Sequence, residues 1–536
     1  MSKKIVSLIF AIVILVSAAA CGTPAPATQA PAAPAEPAKP AEPAAPAAPA
    51  EPAAPAAPAA PAEPAAEYKD TINLVNELEP DIMDPRRGNG VSNNIAMNLI
   101  YDSLVNYTKG EVTPRLAESW EQVDDTHIRF HLKEGVVFSN GNPFTADDVL
   151  FSFARGLEDS TSKSTMAWFD PENTVVEDDH TILIAMNYPY AAVYYTLRGG
   201  RTWIGDKETM EEIGEAEYGQ NPVGTGAYVM SNWIQGSQME FTRNEKYWGE
   251  PAVTPNIVLK FVAEPANRVI ELETGAADLA YYIAPADRQR VEDLPNAHVE
   301  AGVSEKYYLV TFNMQHEILG KKEVRNALTM AVDIPALADA AFDGKGHAMT
   351  GVYPSIVEGW KDMGGYRYDP EGAKAKLAEA GYPDGFEVEL HILPGADYQR
   401  MAEIVQAYWA AIGVNARIEQ SALATREAQG PWEASIRTAT ATEISNILII
   451  YEPAFGSRLN ANDMELDGML QELRRTYDSA ARAELLSKIQ DYLFDKNYSI
   501  PFAEVDTVYG VSDSIENFGF TTSIDDLNIK EWQVRK

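Results

Sequence analysis

The chain has 536 residues, one cysteine and a formal net charge of −36 at pH 7. Nucleic acid needs clustered Lys and Arg to meet its phosphates, so this acidic balance argues against nucleic-acid partners, and it would repel the body of the protein from an anionic membrane. A lone cysteine excludes an intramolecular disulfide and a thiolate metal cluster.

In chain order, Met1-Ser2-Lys3-Lys4 carries the first charges, an apolar run from Ile5 to Val16 follows, and Ser17-Ala18-Ala19-Ala20 supplies small residues before a cleavage point. That layout predicts a secretory signal peptide over residues 1–20, its greasy part too short for the ~30 Å hydrocarbon layer. Cys21 sits directly after it and resembles the cysteine of the bacterial lipobox. The resemblance implies a thiol that is acylated and becomes the first residue of the mature chain, with ordinary cleavage beside Ala20 as the alternative. Residues 21–67 are almost entirely Ala and Pro. Proline fixes φ and donates no hydrogen bond, so an extended tether is expected; at ~3.1 Å per residue it reaches on the order of 100 Å. Residues 68–536 exceed what one hydrophobic core serves, which predicts an exported body of two or three lobes.

Within that body, residues 71–75 read as a strand, 79–91 as a loop, and 92–104 as a helix carrying Ile95, Leu99 and Ile100 at helical spacing. Residues 120–132 predict a hairpin turning at Asp124-Asp125, with Ile128, Phe130 and Leu132 on one face and His127, Arg129 and His131 on the other. Thr145 caps a helix through Val149, Leu150, Phe153 and Ala154, its Asp147-Asp148 suited to the positive end of the helix dipole. A hairpin-like pair surrounds 177–180, and a strand at 257–262 feeds a helix after Pro265. Then come a strand at 307–313, a helix at 322–332, a helix from Asp369-Pro370 that Gly381 ends, and a strand at 386–393. A helix at 398–412 closes on Gly413, followed by strands at 414–419 and 447–451, helices at 463–476 and 479–496, and a closing strand at 499–511. Strands alternating with helices imply α/β lobes, and the lack of a flexible linker between them makes the lobes non-contiguous.

Catalytic machinery is sparse. His127 and His131 share a strand face with Arg129 between them, a cation that opposes a divalent metal, so a solvated face is the better reading. His316-Glu317 lacks the second histidine of a zinc protease motif. Ser160-Thr161-Ser162-Lys163 matches S-x-x-K but has no K-T-G partner. Gly224-Thr225-Gly226 precedes a strand-like run, which suits a turn between strands better than a phosphate loop. Of the aromatics, Trp233, Trp248, Trp409 and Trp432 among them, most should be core. No catalytic residue, cofactor or metal site is assigned, and an exported, tethered body without a nucleophile–base pair points to binding.

Several stretches in order carry a family resemblance. Ala117-Glu118-Ser119-Trp120 with residues 127–148 (HIRFHLKEGVVFSNGNPFTADD), 221–228 (NPVGTGAY), Asn244-Glu245-Lys246-Tyr247-Trp248, Phe312-Asn313, the helix from Lys322 to Leu328, Tyr368-Asp369-Pro370 to Gly381, and 400–414 resemble the solute-binding proteins, family 5, of peptide/nickel ABC importers. The resemblance covers residues 70–536. It implies an α/β class C periplasmic-binding-protein type II fold: lobe I from 68–100, 218–305 and 498–536, an inserted subdomain at 101–217, and lobe II at 306–497, with crossing strands near 307–313 and 499–511. Ligand would bind between lobes that close on it. The implied substrate-binding set is Asn89, Gly90 and Val91 on a loop, Thr440 and Thr442 on the opposing strand, Glu443 beside them, and Asn313 and Trp432. Where dipeptide binders carry an Asp for the ammonium this chain has Thr442, with Glu443 next to it. Where they carry an Arg for the carboxylate it has Ile392 or Leu393. Longer or modified peptides, or a non-peptide solute, stay open.

The resulting expectation is a monomeric, non-enzymatic receptor, anchored outside the cytoplasm by lipid on Cys21, which delivers a peptide-like solute to ABC permease subunits. The alternatives are a nickel or metal-chelate receptor using His391, a sensory receptor on the same fold, and an exported serine hydrolase acting through Ser160 and Lys163.

Overall fold

Two long strands set the plan of the structure by taking part in both ends of one sheet. The computed structural model describes residues 67–87, 91–108, 111–159, 162–357, 359–422, 432–440, 462–519 and 527–536. The signal peptide, Cys21, the tether as far as residue 66, Asn89, Gly90, Ser160, Thr442, Glu443 and the expected strand at 447–451 lie outside the described residues.

The body opens with β1 (Thr71–Asn76) and α1 (Val91–Ile100). Next come β2 (Val105–Thr108), β3 (Glu111–Pro114), β4 (Ala117–Asp124), β5 (His127–Leu132), α2 (Ala146–Glu158), α3 (Lys163–Met166), β6 (Phe169–Asp178), β7 (Thr181–Met186), α4 (Val193–Thr196), α5 (Lys207–Ile213) and α6 (Glu215–Tyr218). The chain returns through β8 (Tyr228–Ile234), β9 (Gln238–Arg243), β10 (Asn256–Phe261), α7 (Pro265–Glu273), β11 (Leu279–Tyr281), α8 (Arg288–Glu292) and β12 (Ala297–Phe312). Its second half holds α9 (Lys322–Met330), α10 (Ile334–Ala341), β13 (Gly346–Ala348), α11 (Pro370–Glu379), β14 (Phe386–Ile392), α12 (Ala396–Ala410), β15 (Val414–Gln420), β16 (Ala434–Thr440), α13 (Met464–Arg475), α14 (Ser479–Lys496) and β17 (Ser499–Ser512).

Eleven strands form one sheet in the order β15-β14-β16-β12-β17-β11-β1-β10-β9-β8, with β13 added beside β17. β1 and β10 run parallel, Ile72 against Ile257 and Leu74 against Leu259, and all four side chains are fully buried in the first lobe's core. At the other end Val310, Phe312, Leu390 and Ile436 pack with Trp409 into a separate core, and Leu466, Leu470, Leu486 and Ile489 cover the opposite face around Tyr307 and Leu309. The four-stranded sheet β4-β5-β7-β6 has its own core of Ile128, Phe130, Leu132, Val149, Phe153 and Ile182. Period-2 burial in β5 thus matches its alternating sequence. Among the described residues no helix is long and apolar enough to cross a membrane.

Helix starts follow their acids. Asp206, Asp333, Asp369, Asp463 and Asp478 each accept a backbone N–H two or three residues on, the orphan donors of a first turn. At α2 the Thr145 N–H donates to Asp148 Oδ2 (2.9 Å), and Asp148 Oδ1 also accepts the Lys207 N–H (3.1 Å), tying α2 to the start of α5. Gly224 and Gly226 lie against the end of α1, where a Cβ on either would run into the Ile100 carbonyl. The Gly226 N–H donates to Ile100 O (2.7 Å) and Thr225 Oγ1 to Asp102 Oδ2 (2.9 Å), so this glycine pair is a packing turn. Arg325, a buried residue of α9, donates to the carbonyls of Leu319, Gly320, Lys496 and Asn497, closing the turn between α14 and β17.

Candidate functional site

Where the sheet passes from one lobe to the other, its ladder is broken. β12 and β17 pair from Ala297 opposite Ser512 to Val303 opposite Asp506, and again from Tyr307 opposite Glu504. Between those runs residues 304–306 face Val505 alone. Ser304 Oγ donates to Val505 O (2.8 Å) and accepts the Lys306 N–H (3.1 Å), so a side chain fills in for missing ladder bonds. A bulge of this kind is a natural point for the strands to bend, and it lies between two independently packed cores.

Charged groups collect there. Asp506 accepts from Arg288 Nη1 (3.1 Å), at the start of α8, and pairs with His347 Nε2 (2.7 Å), on β13. One carboxylate on a crossing strand therefore ties residues from both sides of the bulge. Glu504, two residues earlier and buried, accepts the Ser355 N–H (2.7 Å) and hydroxyl (2.8 Å).

β16 forms the wall on the second lobe's side. It pairs with β12 from Ala434 opposite Phe312 to Thr440 opposite Lys306. The Asn313 N–H donates to Glu433 O, which sets the phase of the antiparallel ladder. Odd-numbered residues of β16 face β12, and Ala434, Ile436, Thr438 and Thr440 turn their backbone groups the other way. β14 covers that second edge only at Ala434 and Ser435. Among the described residues β14 ends beside Ile436, and the edge at Thr438 and Thr440 has no strand beside it. Arg437 lies half-buried on one face with its guanidinium carbon 4.9 Å from the Trp432 ring, and Thr440 is exposed at the crossing point.

The expected site residues divide accordingly. Thr440 stands at the bulge. Asn313 and Trp432 come together at the far end of β16, roughly 25 Å away at ~3.3 Å per residue. Asn313 is 3% exposed; its amide donates to Trp432 O (2.7 Å) and its oxygen accepts the Gln315 N–H (3.0 Å). Both residues therefore hold the exit of β12. Val91 is the first residue of α1. His391, the metal-chelate candidate, is 1% exposed, with ring nitrogens within hydrogen-bond distance of Ser435 Oγ (3.3 Å) and Ser421 O (3.1 Å). It belongs to the lobe's interior rather than to a cleft-facing loop. Among the described residues no three His, Cys, Asp or Glu side chains gather as a metal site.

The other motifs resolve into structure. His127 Nδ1 pairs with Asp124 (2.9 Å), and Arg129 bridges Glu121 and Glu177 on a solvated strand face. Lys163 is exposed on α3. Trp409 stacks on Phe312, while Trp233 and Trp248 donate to Glu79 and Asp102. The bulge, the Asp506 bridge, the open edge of β16 and the stacked Arg437 went unread in the sequence, because each depends on pairings between residues far apart in it.

Comparison with known proteins bears on this arrangement. The profile of the bacterial extracellular solute-binding proteins, family 5, middle region, matches residues 111–446. Heme-binding protein A of Haemophilus influenzae is 30% identical over 459 residues, covering 77% of this chain and 83% of its own. A dipeptide-binding protein of Pseudomonas aeruginosa is 28% identical over 472 residues, with 78% and 86% covered. Among solved structures, HbpA2 from Haemophilus parasuis superposes with a TM-score of 0.74 at 25% identity, over 84% of this chain and 96% of that one.

Proposed function

The chain belongs to the family 5 bacterial extracellular solute-binding proteins, and we propose that it captures a peptide or peptide-like solute between its two lobes and passes it to the permease of an ABC importer. The observation that carries the peptide reading is the second edge of β16. Thr438 and Thr440 offer backbone donors and acceptors in strand geometry, beside the bulge about which the lobes would move. An extended peptide can add itself to such an edge as another strand, whatever its side chains. At ~1 kcal/mol net per hydrogen bond a short edge supplies a minor part of the ~8.2 kcal/mol of micromolar binding. Side-chain burial would supply the rest.

In this reading lobe I comprises 68–100, 218–305 and 498–536, the inserted subdomain 101–217, and lobe II 306–497. Asn89, Gly90 and Val91 would meet the ligand from lobe I and Thr442 and Glu443 from lobe II, as the family resemblance implies, with Glu443 offering a charge to a peptide ammonium. Cys21 carries the lipid, and the Ala/Pro stretch spaces a monomeric body from the membrane.

Thermal melting across di- to octapeptides tests the proposal. A peptide at a hundred times its Kd adds ~2.7 kcal/mol, a rise of several degrees, and backbone N-methylation of the same peptide abolishes the rise. Ligand-independent melting across the whole series would refute peptide binding.

A further inference from the structure

The inserted stretch is fastened to the first lobe by buried bonds: Thr225 and Trp248 reach Asp102, and Arg155 reaches Asp84 (2.8 Å). It also touches the second lobe. The elbow between α13 and α14, residues 476–478, enters a notch formed by the β4–β5 turn and the segment after β7. There the Ala191 N–H donates to Arg474 O (2.7 Å), the Tyr190 N–H donates to the Tyr477 hydroxyl (3.1 Å), and that hydroxyl donates to Asp125 O (3.0 Å). The Arg474 guanidinium carbon sits 5.8 Å from the centre of the Tyr188 ring. Tyr190 is buried, stacked on Trp168 at 6.3 Å, so the notch is preformed by the insert's own core.

We propose that the inserted subdomain latches the cleft shut, with the Tyr477 hydroxyl as the positioning group that joins two strands' turns of the insert to the helical elbow of the opposite lobe. Rotation about the bulge at 304–306 carries the elbow away from the notch and breaks all these contacts at once. Solute is not part of the latch. A ligand shifts an open–closed balance only by its preference for one state; a latch already favouring closure lowers the preference a weakly gripped, variable cargo must supply. The surroundings fit a dry contact: burial pushes the Tyr477 hydroxyl up in pKa and, with Tyr477 beside it, pushes Tyr194 up to about 12.

The test uses the full chain without solute, with Cys21→Ser and a spin-label pair introduced by Glu172→Cys on β6 and Glu379→Cys on α11. Tyr477→Phe keeps the ring and removes both hydroxyl bonds. It raises the open-to-closed ratio roughly tenfold, seen as a longer-distance population in the label separation. Tyr492→Phe, on α14, loses bonds to Asp463 (2.7 Å) and Glu465 (3.1 Å) within one lobe and leaves the distances unchanged. Identical distributions for Tyr477→Phe and the parent protein, or an equal shift from Tyr492→Phe, would overturn the latch. Neither outcome depends on which solute the cleft takes.

Discussion

Lowering the pH from 7 to 5 should stabilise the inserted subdomain through one carboxylate, that of Asp148. Its side chain is 4% exposed, and burial, outweighing the bonds from Lys207 and Thr145, pushes its pKa up to about 6. In the unfolded chain the group returns to its ordinary value near 3.8. A raised folded pKa means the native state holds the proton more tightly. Its contribution is therefore fully present below the unfolded pKa and lost as pH rises through 6. At pH 7 both states are ionised; at pH 5 the folded group is protonated and the unfolded one is not. One unit between pH 5 and the folded pKa is worth ~1.4 kcal/mol, so the gain from pH 7 to 5 is about 1 kcal/mol. Carboxylates held low, such as Asp124, Asp170 and Glu177, lose their contributions only nearer pH 4 and leave this window alone. The measurement is urea unfolding followed by tryptophan fluorescence at both pH values, Trp168 lying in the subdomain's core. Asp148→Asn keeps an oxygen for the cap but cannot titrate, and should lose the pH 5 gain. An equal gain in the variant would refute the assignment to Asp148.

Arg325→Met leaves four carbonyls without their donor and should cost about 3–5 kcal/mol at ~1 kcal/mol or more each, read as a lower urea midpoint. Asp506→Asn weakens the ties to Arg288 and His347 across the bulge; with side chains 12% and 15% exposed for the acid and the arginine, a loss of about 1–3 kcal/mol is expected in the same assay, and no loss would show that the bridge is incidental. Gly226→Ala forces a methyl into the Ile100 carbonyl and should destabilise by about 1–3 kcal/mol. Gly468→Ala meets nothing within 4 Å and should be neutral or stabilising by up to ~1 kcal/mol, so paired melts separate close packing from chain entropy.

Local order was legible wherever one residue's neighbours decided its conformation. The alternation at Ile128, Phe130 and Leu132 places a strand with one buried face, and Asp369 with Gly381, at φ +95°, brackets a helix from Pro370 to Glu379. The crossing strand was half-read: it was expected from residue 307, yet β12 begins at Ala297. Its first part alternates Ala297, Val299, Ala301 and Val303 with His298, Glu300 and Gly302, a pattern made weak by two alanines and a glycine, and pairing with β17 is what extends the strand through it. Asn313 and Trp432 stood in conspicuous motifs, but a motif does not reveal whether a buried amide meets solute or backbone. His391 sits two residues before a loop in sequence; only the packing of β14 against β16 turns it inward.

The same long-range pairings bear on how the two lobes would move. A sheet continuous across two cores transmits any displacement of one core to the other, unless its ladder yields somewhere. It yields where Ser304 replaces backbone bonds, and the ends of the movable parts are then held by groups that can part without leaving a charge stranded in a core: Asp506 at the bulge and the Tyr477 hydroxyl at the notch. Between those two contacts runs the edge of β16; among the described residues its hydrogen-bonding groups at Thr438 and Thr440 have no strand beside them, which leaves them open to an extended ligand. On the proposed reading, stiff lobes, the bulge at 304–306 and the strand edge open among the described residues would together couple the capture of a backbone to the position of the lobes.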